Sequence, residues 1–218
     1  MNLNKKLSDI LDPNKIEVVK NPIEKAHGLP NECYLNDDYL EFEKEKIFKN
    51  NWTMIGVASS VPNPGDAKPF NLLGIPILIV RNKENEVKVF HNVCSHRGFK
   101  LVDQECKLKN VIRCPYHSWS YDFNGKLTVT PHIGGLGKHE VEGFDKNNSN
   151  LKEIKSNIWM DLIFININSN AKPFEDFIKP LEDRWSKFIS KKDQKLIRHS
   201  SDNGYFNMTV NSNWKFAI

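Results

Sequence analysis

Four side chains in one short segment are of the types that bind metals. One residue separates Cys94 from His96, two residues separate Cys114 from His117, and 17 residues lie between the two pairs. Thiolate and imidazole groups are ligands of zinc and of iron–sulfur clusters. Each pair follows an apolar run typical of a strand, VFHNV in one case and VIR in the other. Two strand-end loops on one rigid sheet can converge, so the segment predicts a metal centre.

The mixed composition of each pair indicates which centre this is. Zinc sites mostly group like ligands, as Cys-x2–4-Cys or His-x3–5-His pairs. One cysteine and one histidine on each of two loops instead fit a [2Fe–2S] cluster with two Cys on one iron and two His on the other, the Rieske arrangement. We therefore expect Cys94, His96, Cys114 and His117 to bind a Rieske cluster, with a zinc site or no metal as alternatives. Cys33 and Cys106 have no histidine at ligand spacing, which predicts ordinary thiols.

The elements that position these loops are short β-like runs. From Asn51 onward they recur at roughly ten-residue spacing, separated by Gly, Pro and Asn, which favours an antiparallel sandwich or barrel. The pair Asn124-Gly125 predicts a two-residue hairpin in which both turn residues have positive φ. Residues 158–167 read as one strand.

The segments before and after this β region have a different residue pattern. Residues 1–36 carry three prolines and predict an extended lead-in, followed by a helix over 37–50 with Asp37 and Asp38 at its N-cap. After Lys172-Pro173 the pattern predicts a helix interrupted at Pro180, then strand, turn and strand up to 218. The expected organisation is a lead-in and helix over 1–50, a cluster-binding domain over 51–168 and the beginning of a further domain over 169–218.

The segment around the four ligands resembles the N-terminal part of Rieske non-haem iron oxygenase α subunits, the ring-hydroxylating dioxygenases and quaternary-amine monooxygenases. The similarity rests on NVCSHRG at 92–98, CPYHSW at 114–119 and YDFNGKL at 121–127, and extends over about 40–218. Ser118 departs from the family, which usually has Gly there. Respiratory Rieske proteins carry an extra cysteine in each loop, whereas Phe99 and Tyr116 stand at these positions. The loops must then be held by packing, for which Trp119, Phe99 and Pro115 are candidates.

The resemblance implies a mostly β fold: a Rieske [2Fe–2S] antiparallel β-sandwich with flanking helices, followed by the start of an α+β catalytic domain. It implies electron transfer from an NAD(P)H-dependent reductase or ferredoxin to a mononuclear Fe(II) on a neighbouring subunit of a homo-oligomer, usually a trimer. In the family, the Asn213-Trp214-Lys215 motif leads into the D-x-x-H-x-x-x-x-H iron site. This chain stops before such a motif, so we expect a fragment or a truncated product, with no catalytic residue of its own.

Composition narrows the alternatives. A net charge of +4 excludes a dedicated nucleic-acid binder, and the longest apolar run, 72–80, is far shorter than the roughly 20 residues of a membrane span. No signal peptide is recognisable, so a cytoplasmic protein is expected. Basic residues outnumber acidic ones near the loops, which favours an acidic donor protein, although a solvated surface explains them equally. The competing functions are a stand-alone Rieske ferredoxin, which needs no flanking helices, and a zinc-stabilised binding module.

Overall fold

The chain is described here by a computed structural model covering residues 6–200 and 208–216. Its strands form three antiparallel sheets, and helical segments precede and follow them. The expected mostly β fold with flanking helices is confirmed. Among the described residues, no helix combines the length and apolar character that crossing a membrane requires.

A four-stranded sheet occupies the centre, and its strands are ordered β4-β3-β2-β5. These strands are β2 (Asp66–Leu72), β3 (Ile75–Arg81), β4 (Val87–His91) and β5 (Cys106–Lys107). Strand β3 is buried on both faces: Leu78 belongs to one apolar core, and its neighbours Ile77 and Ile79 belong to another. Burial on both faces explains why β3 reads as a continuous apolar run rather than an alternating one.

A second sheet covers one face of the first. Its strands, in the order β1-β10-β9, are β1 (Thr53–Val57), β9 (Lys155–Trp159) and β10 (Leu162–Asn166). The prediction of one strand over 158–167 is wrong, because Met160 and Asp161 form a tight turn with φ of 49° and 71°. The Asp161 carboxylate stabilises this turn by accepting hydrogen bonds from the Ser59 amide (3.1 Å) and hydroxyl (2.6 Å). Because neither Met160 nor Asp161 is a glycine, the apolar sequence did not indicate a turn here.

The strands of the third sheet flank the second of the two loops that carry candidate ligands. Its strands are β6 (Ile112–Arg113), β7 (Ser120–Tyr121) and β8 (Leu127–Val129). The turn between β7 and β8 is longer than predicted: Asp122 donates its N–H to the Lys126 carbonyl (2.9 Å), and Gly125 has a positive φ of 81° whereas Asn124 does not. Gly125 is required, because a Cβ there would lie 2.5 Å from a ring carbon of the buried Phe90.

Helices flank the sheets at both ends of the chain. They are α1 (Pro13–Val19), α2 (Glu32–Leu35), α3 (Asp37–Glu43) with a π-helical turn (Lys44–Phe48), α4 (Phe174–Trp185) and α5 (Lys191–Gln194). The helix predicted over 37–50 is confirmed up to residue 48, but its N-cap is Asn36, whose side chain accepts the Tyr39 amide (3.1 Å). The extended lead-in is wrong in part, because α1 and α2 lie within it and Leu11 and Cys33 are buried.

The C-terminal region departs most from its prediction. Helix α4 runs through Pro180 without interruption, and it buries Phe174 and Ile178 against Trp52 and Phe164. This packing offsets the hydrogen bond that proline removes. The predicted strand–turn–strand is absent from 195–200 and 208–216, where the structure has only a short 3₁₀ turn (Trp214–Phe216); the part over 201–207 lies outside the described residues.

Candidate metal centre

The first candidate loop connects β4 to the segment before β5. Its backbone closes on itself through two hydrogen bonds: Cys94 donates its N–H to the Phe99 carbonyl (2.8 Å), and Gly98 donates to the Cys94 carbonyl (2.9 Å). Gly98 has a φ of 71°, a conformation that glycine adopts at little cost. Buried Asn92 fixes the return of the chain, since its side chain bonds the backbone of Leu101 and Val102 at 2.7–3.2 Å.

The second loop, between β6 and β7, repeats the same backbone frame. Cys114 donates to the Trp119 carbonyl (2.8 Å), and Ser118 donates to the Cys114 carbonyl (3.0 Å). Ser118 has a φ of 57°, so the family's usual glycine is replaced by serine at a left-handed position. The histidine occupies the third position after the cysteine here, against the second in the first loop. The two loops therefore have a common shape despite unequal ligand spacing.

The structure brings the four predicted ligands together where these loops meet. Cys94 and Cys114 are each 2% exposed, both are free thiols, and their side chains interact. The His96 and His117 rings, one from each loop, lie with their centroids 4.9 Å apart. The other cysteines lie elsewhere, Cys33 buried in α2 and Cys106 exposed on β5.

The donor set fits an iron–sulfur cluster. His117 Nδ1 is buried without a hydrogen-bond partner, which is costly unless its lone pair is used otherwise, for example as a ligand. Among the residues that the structure describes, no group of three or more Cys, His, Asp or Glu side chains surrounds a point suited to one metal ion. A Rieske cluster asks for only two protein ligands on each iron.

Local electrostatics favour metal binding over free ionised groups. Burial raises the pKa of the Cys94 thiol, and the neighbouring Cys114 raises it further against the hydrogen bonds from the Tyr121 hydroxyl and the His96 amide. A thiolate at this position therefore benefits from a metal cation. Burial and the adjacent His117 lower the pKa of His96, which favours the neutral imidazole that binds metals.

Tyr121 is a site residue that the sequence analysis did not single out. Its hydroxyl lies 3.2 Å from Cys94 Sγ and 2.8 Å from Ser95 Oγ, and it accepts the Ser95 amide at 3.2 Å. The residue is fully buried. A buried tyrosine needs a polar partner for its hydroxyl. Because Tyr121 follows a candidate ligand loop in an apolar stretch, this need was the sequence feature that could have marked it as a site residue.

Aromatic packing holds the loops together, as predicted in place of a disulfide. Trp119 stacks on His96 with centroids 4.5 Å apart and an interplanar angle of 10°. Phe99 and Tyr116, one from each loop, contact each other at 5.4 Å. Pro115 is exposed, and no packing role is evident for it.

Acidic side chains near the loops are already paired with lysines. Asp103 bonds Lys100 at 3.0 Å, and Glu105 lies 3.4 Å from Lys68. Arg97 and Arg113, which belong to or adjoin the two loops in sequence, are both exposed. These two exposed arginines are the basic rim of the candidate centre.

A wide cavity lies away from the two candidate loops. It has a volume of about 1010 Å³ and is bounded by the β9–β10 hairpin and helix α4, with Arg81, Trp159 and Asp161 in its wall. None of the four predicted ligands lines it. His199, which was not predicted as a ligand, donates its backbone N–H to Asp161 (2.8 Å) beside this cavity.

Comparison with known proteins identifies relatives of this arrangement. Residues 51–141 match the Rieske [2Fe–2S] domain family. The chain is 33% identical over 194 residues to the carnitine monooxygenase oxygenase subunit of Acinetobacter pittii, covering 88% of this chain and 49% of that one. It is 26% identical to the 2-aminobenzenesulfonate 2,3-dioxygenase subunit alpha of an Alcaligenes species, covering 88% and 47%.

A solved structure gives the same picture. The apo form of a quaternary ammonium Rieske monooxygenase superposes with a TM-score of 0.66 at 33% identity, over 73% of this chain and 45% of that one. The chain spans about half the length of the curated relatives that it matches.

Proposed function

We propose that this chain, a member of the Rieske non-haem iron oxygenases that spans about half the length of the relatives it matches, is the part that accepts electrons and passes them to a mononuclear iron site. The main observation behind this proposal is that two loops with the same backbone hydrogen bonds each present one thiol and one imidazole. In addition, the buried Nδ1 atom of His117 has no hydrogen-bond partner. We place that iron site outside residues 1–218, in which the D-x-x-H-x-x-x-x-H pattern does not occur. Cytoplasmic localisation and the division at 51 and 169 remain predictions.

We assign Cys94, His96, Cys114 and His117 as the ligands of the [2Fe–2S] cluster. The cysteines would hold one iron as thiolates and the histidines the other as neutral imidazoles. The bound cluster would supply one-electron transfer. With Cys94 bound as a thiolate, the Tyr121 hydroxyl would donate to its sulfur 3.2 Å away, and Trp119 stacks on the ring of His96. Each histidine keeps a second ring nitrogen, which can hold a proton and donate it to a carboxylate.

The remaining assignments concern the whole protein. We propose an NAD(P)H-dependent reductase or a ferredoxin as the donor, docking at the basic rim near Arg97 and Arg113. We further propose a homo-oligomer, as a trimer, in which electrons reach an Fe(II) site on the neighbouring subunit. For the substrate we propose a quaternary ammonium compound and monooxygenation, because identity is 33% to the carnitine enzyme and 26% to the dioxygenase.

A stand-alone electron carrier is the alternative. Such a carrier needs only the sheets and the two loops. Here residues 213–216 contact helices α2 and α3, and α4 packs on Trp52, so both flanks are integrated with the fold. This integration favours the α-subunit assignment.

The ligand assignment is tested with the purified, cluster-loaded chain. We expect about two iron and two acid-labile sulfide per chain and a visible absorption spectrum that bleaches on reduction. Cys114→Ala should abolish this spectrum, and Cys106→Ala, the matched control, should retain it. Zinc without sulfide would indicate a binding module, and a colourless Cys106→Ala protein would show that the ligand set is incomplete.

The oxygenase assignment needs a separate test. The coding DNA downstream of the Ile218 codon should continue into D-x-x-H-x-x-x-x-H. The protein expressed from that longer frame should consume oxygen with a reductase and carnitine, whereas the 218-residue chain should only accept and release electrons. A stop codon at that point, with the short product accumulating, would favour the carrier.

A further inference from the structure

A buried carboxylate and a buried ammonium meet between the N-terminal helices and residues 213–216. Lys215 Nζ donates to both carboxylate oxygens of Glu43 at 2.9 Å, and the two side chains are 9% and 3% exposed. Trp214 Nε1 donates to the same carboxylate at 3.0 Å. Glu43 thus accepts three hydrogen bonds from two consecutive residues.

Aromatic rings enclose the ammonium on its other sides. Lys215 Nζ lies 5.5 Å from the ring centroid of Tyr34, 5.4 Å from that of Tyr39 and 5.0 Å from that of Trp214. All three distances are within the roughly 6 Å over which a cation is attracted by a ring face. Three rings and one carboxylate around a single nitrogen form a site for a cation.

The same residues join parts of the chain that are distant in sequence. Asn213 Nδ2 donates to the Tyr34 carbonyl at 3.1 Å, and Phe216 stacks on Tyr34 with centroids 4.9 Å apart. Trp214 packs edge-on against Phe48 at 5.1 Å. Residues 213–216 therefore dock across α2, α3 and the π-helical turn, and the ammonium lies at the centre of this contact.

We propose that Glu43, Tyr34, Tyr39 and Trp214 form a binding site for a primary alkylammonium, which the chain fills with its own Lys215, and that the bound cation fastens residues 213–216 to the N-terminal helices. An ammonium offers three N–H donors, and Glu43 accepts two contacts from it. Removal of the cation leaves the carboxylate buried and uncompensated, which is strongly unfavourable. Apolar packing alone would not require a charge at either position.

This site is independent of the proposed oxygenase function, although it would serve that function. In the resembled family, the iron motif follows Asn-Trp-Lys, so a fastened Lys215 would fix where that segment starts. The test below uses no activity. Its failure would leave the ligand and oxygenase assignments untouched.

The test is chemical rescue of Lys215→Ala in the full, cluster-loaded chain. Alanine keeps Cβ, and propylammonium replaces the remaining three carbons and the nitrogen. By hydrogen-exchange mass spectrometry, we expect the amides of 213–216 to exchange at least about tenfold faster in the variant, since a buried ion pair has been broken. Propylammonium should restore protection saturably, whereas n-propanol at the same concentration should not. Lys192→Ala, at an exposed lysine in α5, is the matched control and should exchange like the wild type.

Two further variants keep the proposal falsifiable if Lys215→Ala folds poorly. Lys215→Met preserves length and apolar contact, and Glu43→Gln preserves shape; each should accelerate exchange of 213–216 while β3 amides and the visible spectrum stay unchanged. Wild-type protection in Lys215→Met, or rescue of Lys215→Ala by n-propanol as well as by propylammonium, would overturn the proposal. Tetramethylammonium, which has no N–H donor, should restore less than propylammonium; equal rescue would contradict the assigned ligand class.

Discussion

Replacing Tyr121 with Phe should lower the reduction potential of the bound cluster. The hydroxyl lies 3.2 Å from Cys94 Sγ and 2.8 Å from Ser95 Oγ, and it carries one hydrogen. Ser95 Oγ donates its own hydrogen to the Ser149 carbonyl. A ligating Cys94 is a thiolate without hydrogen, so Tyr121 must be the donor in this pair. The Tyr121 hydrogen could bond either Cys94 Sγ or Ser95 Oγ. The bond to the anionic sulfur is charge-assisted and is therefore the stronger of the two.

The size of the effect follows from the change in sulfur charge on reduction. A hydrogen bond to a charged group contributes about 1.5–3 kcal/mol, and only the part that grows when an electron is added affects the potential. If that part is about 1 kcal/mol, the potential falls by about 40 mV, because 59 mV corresponds to about 1.4 kcal/mol for one electron. The fully buried position leaves no room for water to replace the hydroxyl without rearrangement.

Protein-film voltammetry at fixed pH measures this change, and electron paramagnetic resonance checks that the cluster is retained. Tyr116→Phe is the control: Tyr116 is 54% exposed on the second loop, and its ring lies 3.7 Å from that of His117. The control should shift the potential by less than about 10 mV, since no sulfur loses a donor. An unchanged or raised potential in Tyr121→Phe would refute the donor role.

Three predictions concern stability. Gly125→Ala should lower the free energy of unfolding, measured with denaturant, by about 2–5 kcal/mol, because of the positive φ and because the new Cβ would lie 2.5 Å from Phe90. Gly74 also has a positive φ but open space around it, so Gly74→Ala should lower it by only about 1–2 kcal/mol. Ser118→Gly should stabilise the protein by about 0.5–1 kcal/mol, because glycine relieves the left-handed strain; a loss of stability would contradict this. Burial, and secondarily Lys152, lower the pKa of His91 below 6.5, so the unfolded state binds more protons than the folded state and the free energy of unfolding should fall as the pH drops below about 6.5. His91→Gln should weaken this pH dependence. Equal slopes of unfolding free energy against pH in the wild type and the variant would contradict the prediction.

The candidate ligand positions could be proposed from the sequence because residue type and spacing encode such a motif locally. Cys94, His96, Cys114 and His117 meet in the structure, and their convergence needed only two loops on one rigid sheet. The helix over 37–48 was predictable for a similar reason, since its acidic first turn and apolar face lie within a short window, although its cap, Asn36, lies one residue before the predicted one. The expected packing of Phe99 and Trp119 followed from the missing loop cysteines.

The misread elements depend on contacts distant in sequence. The turn at Met160–Asp161 is stabilised by Ser59, about a hundred residues earlier, and no local turn residue marks it. Helix α4 tolerates Pro180 because Phe174 and Ile178 are buried against other elements. Tyr121 lies on a two-residue strand that is buried at both positions, and only the folded chain shows that its hydroxyl reaches Cys94.

Strand β3 connects the two apolar cores of the protein and so supports the candidate site. Because alternate residues face different cores, Leu78 supports the core that contains Cys94 and Cys114, while Ile79 joins the sheet to its covering layer. Both loops then begin at cysteines already buried in the first core, and each loop closes with the same pair of backbone hydrogen bonds. The backbone of both candidate loops is thus held by the protein's own hydrogen bonds and core packing. A preorganised donor set limits the rearrangement that accompanies electron transfer, which is what an electron-accepting module requires.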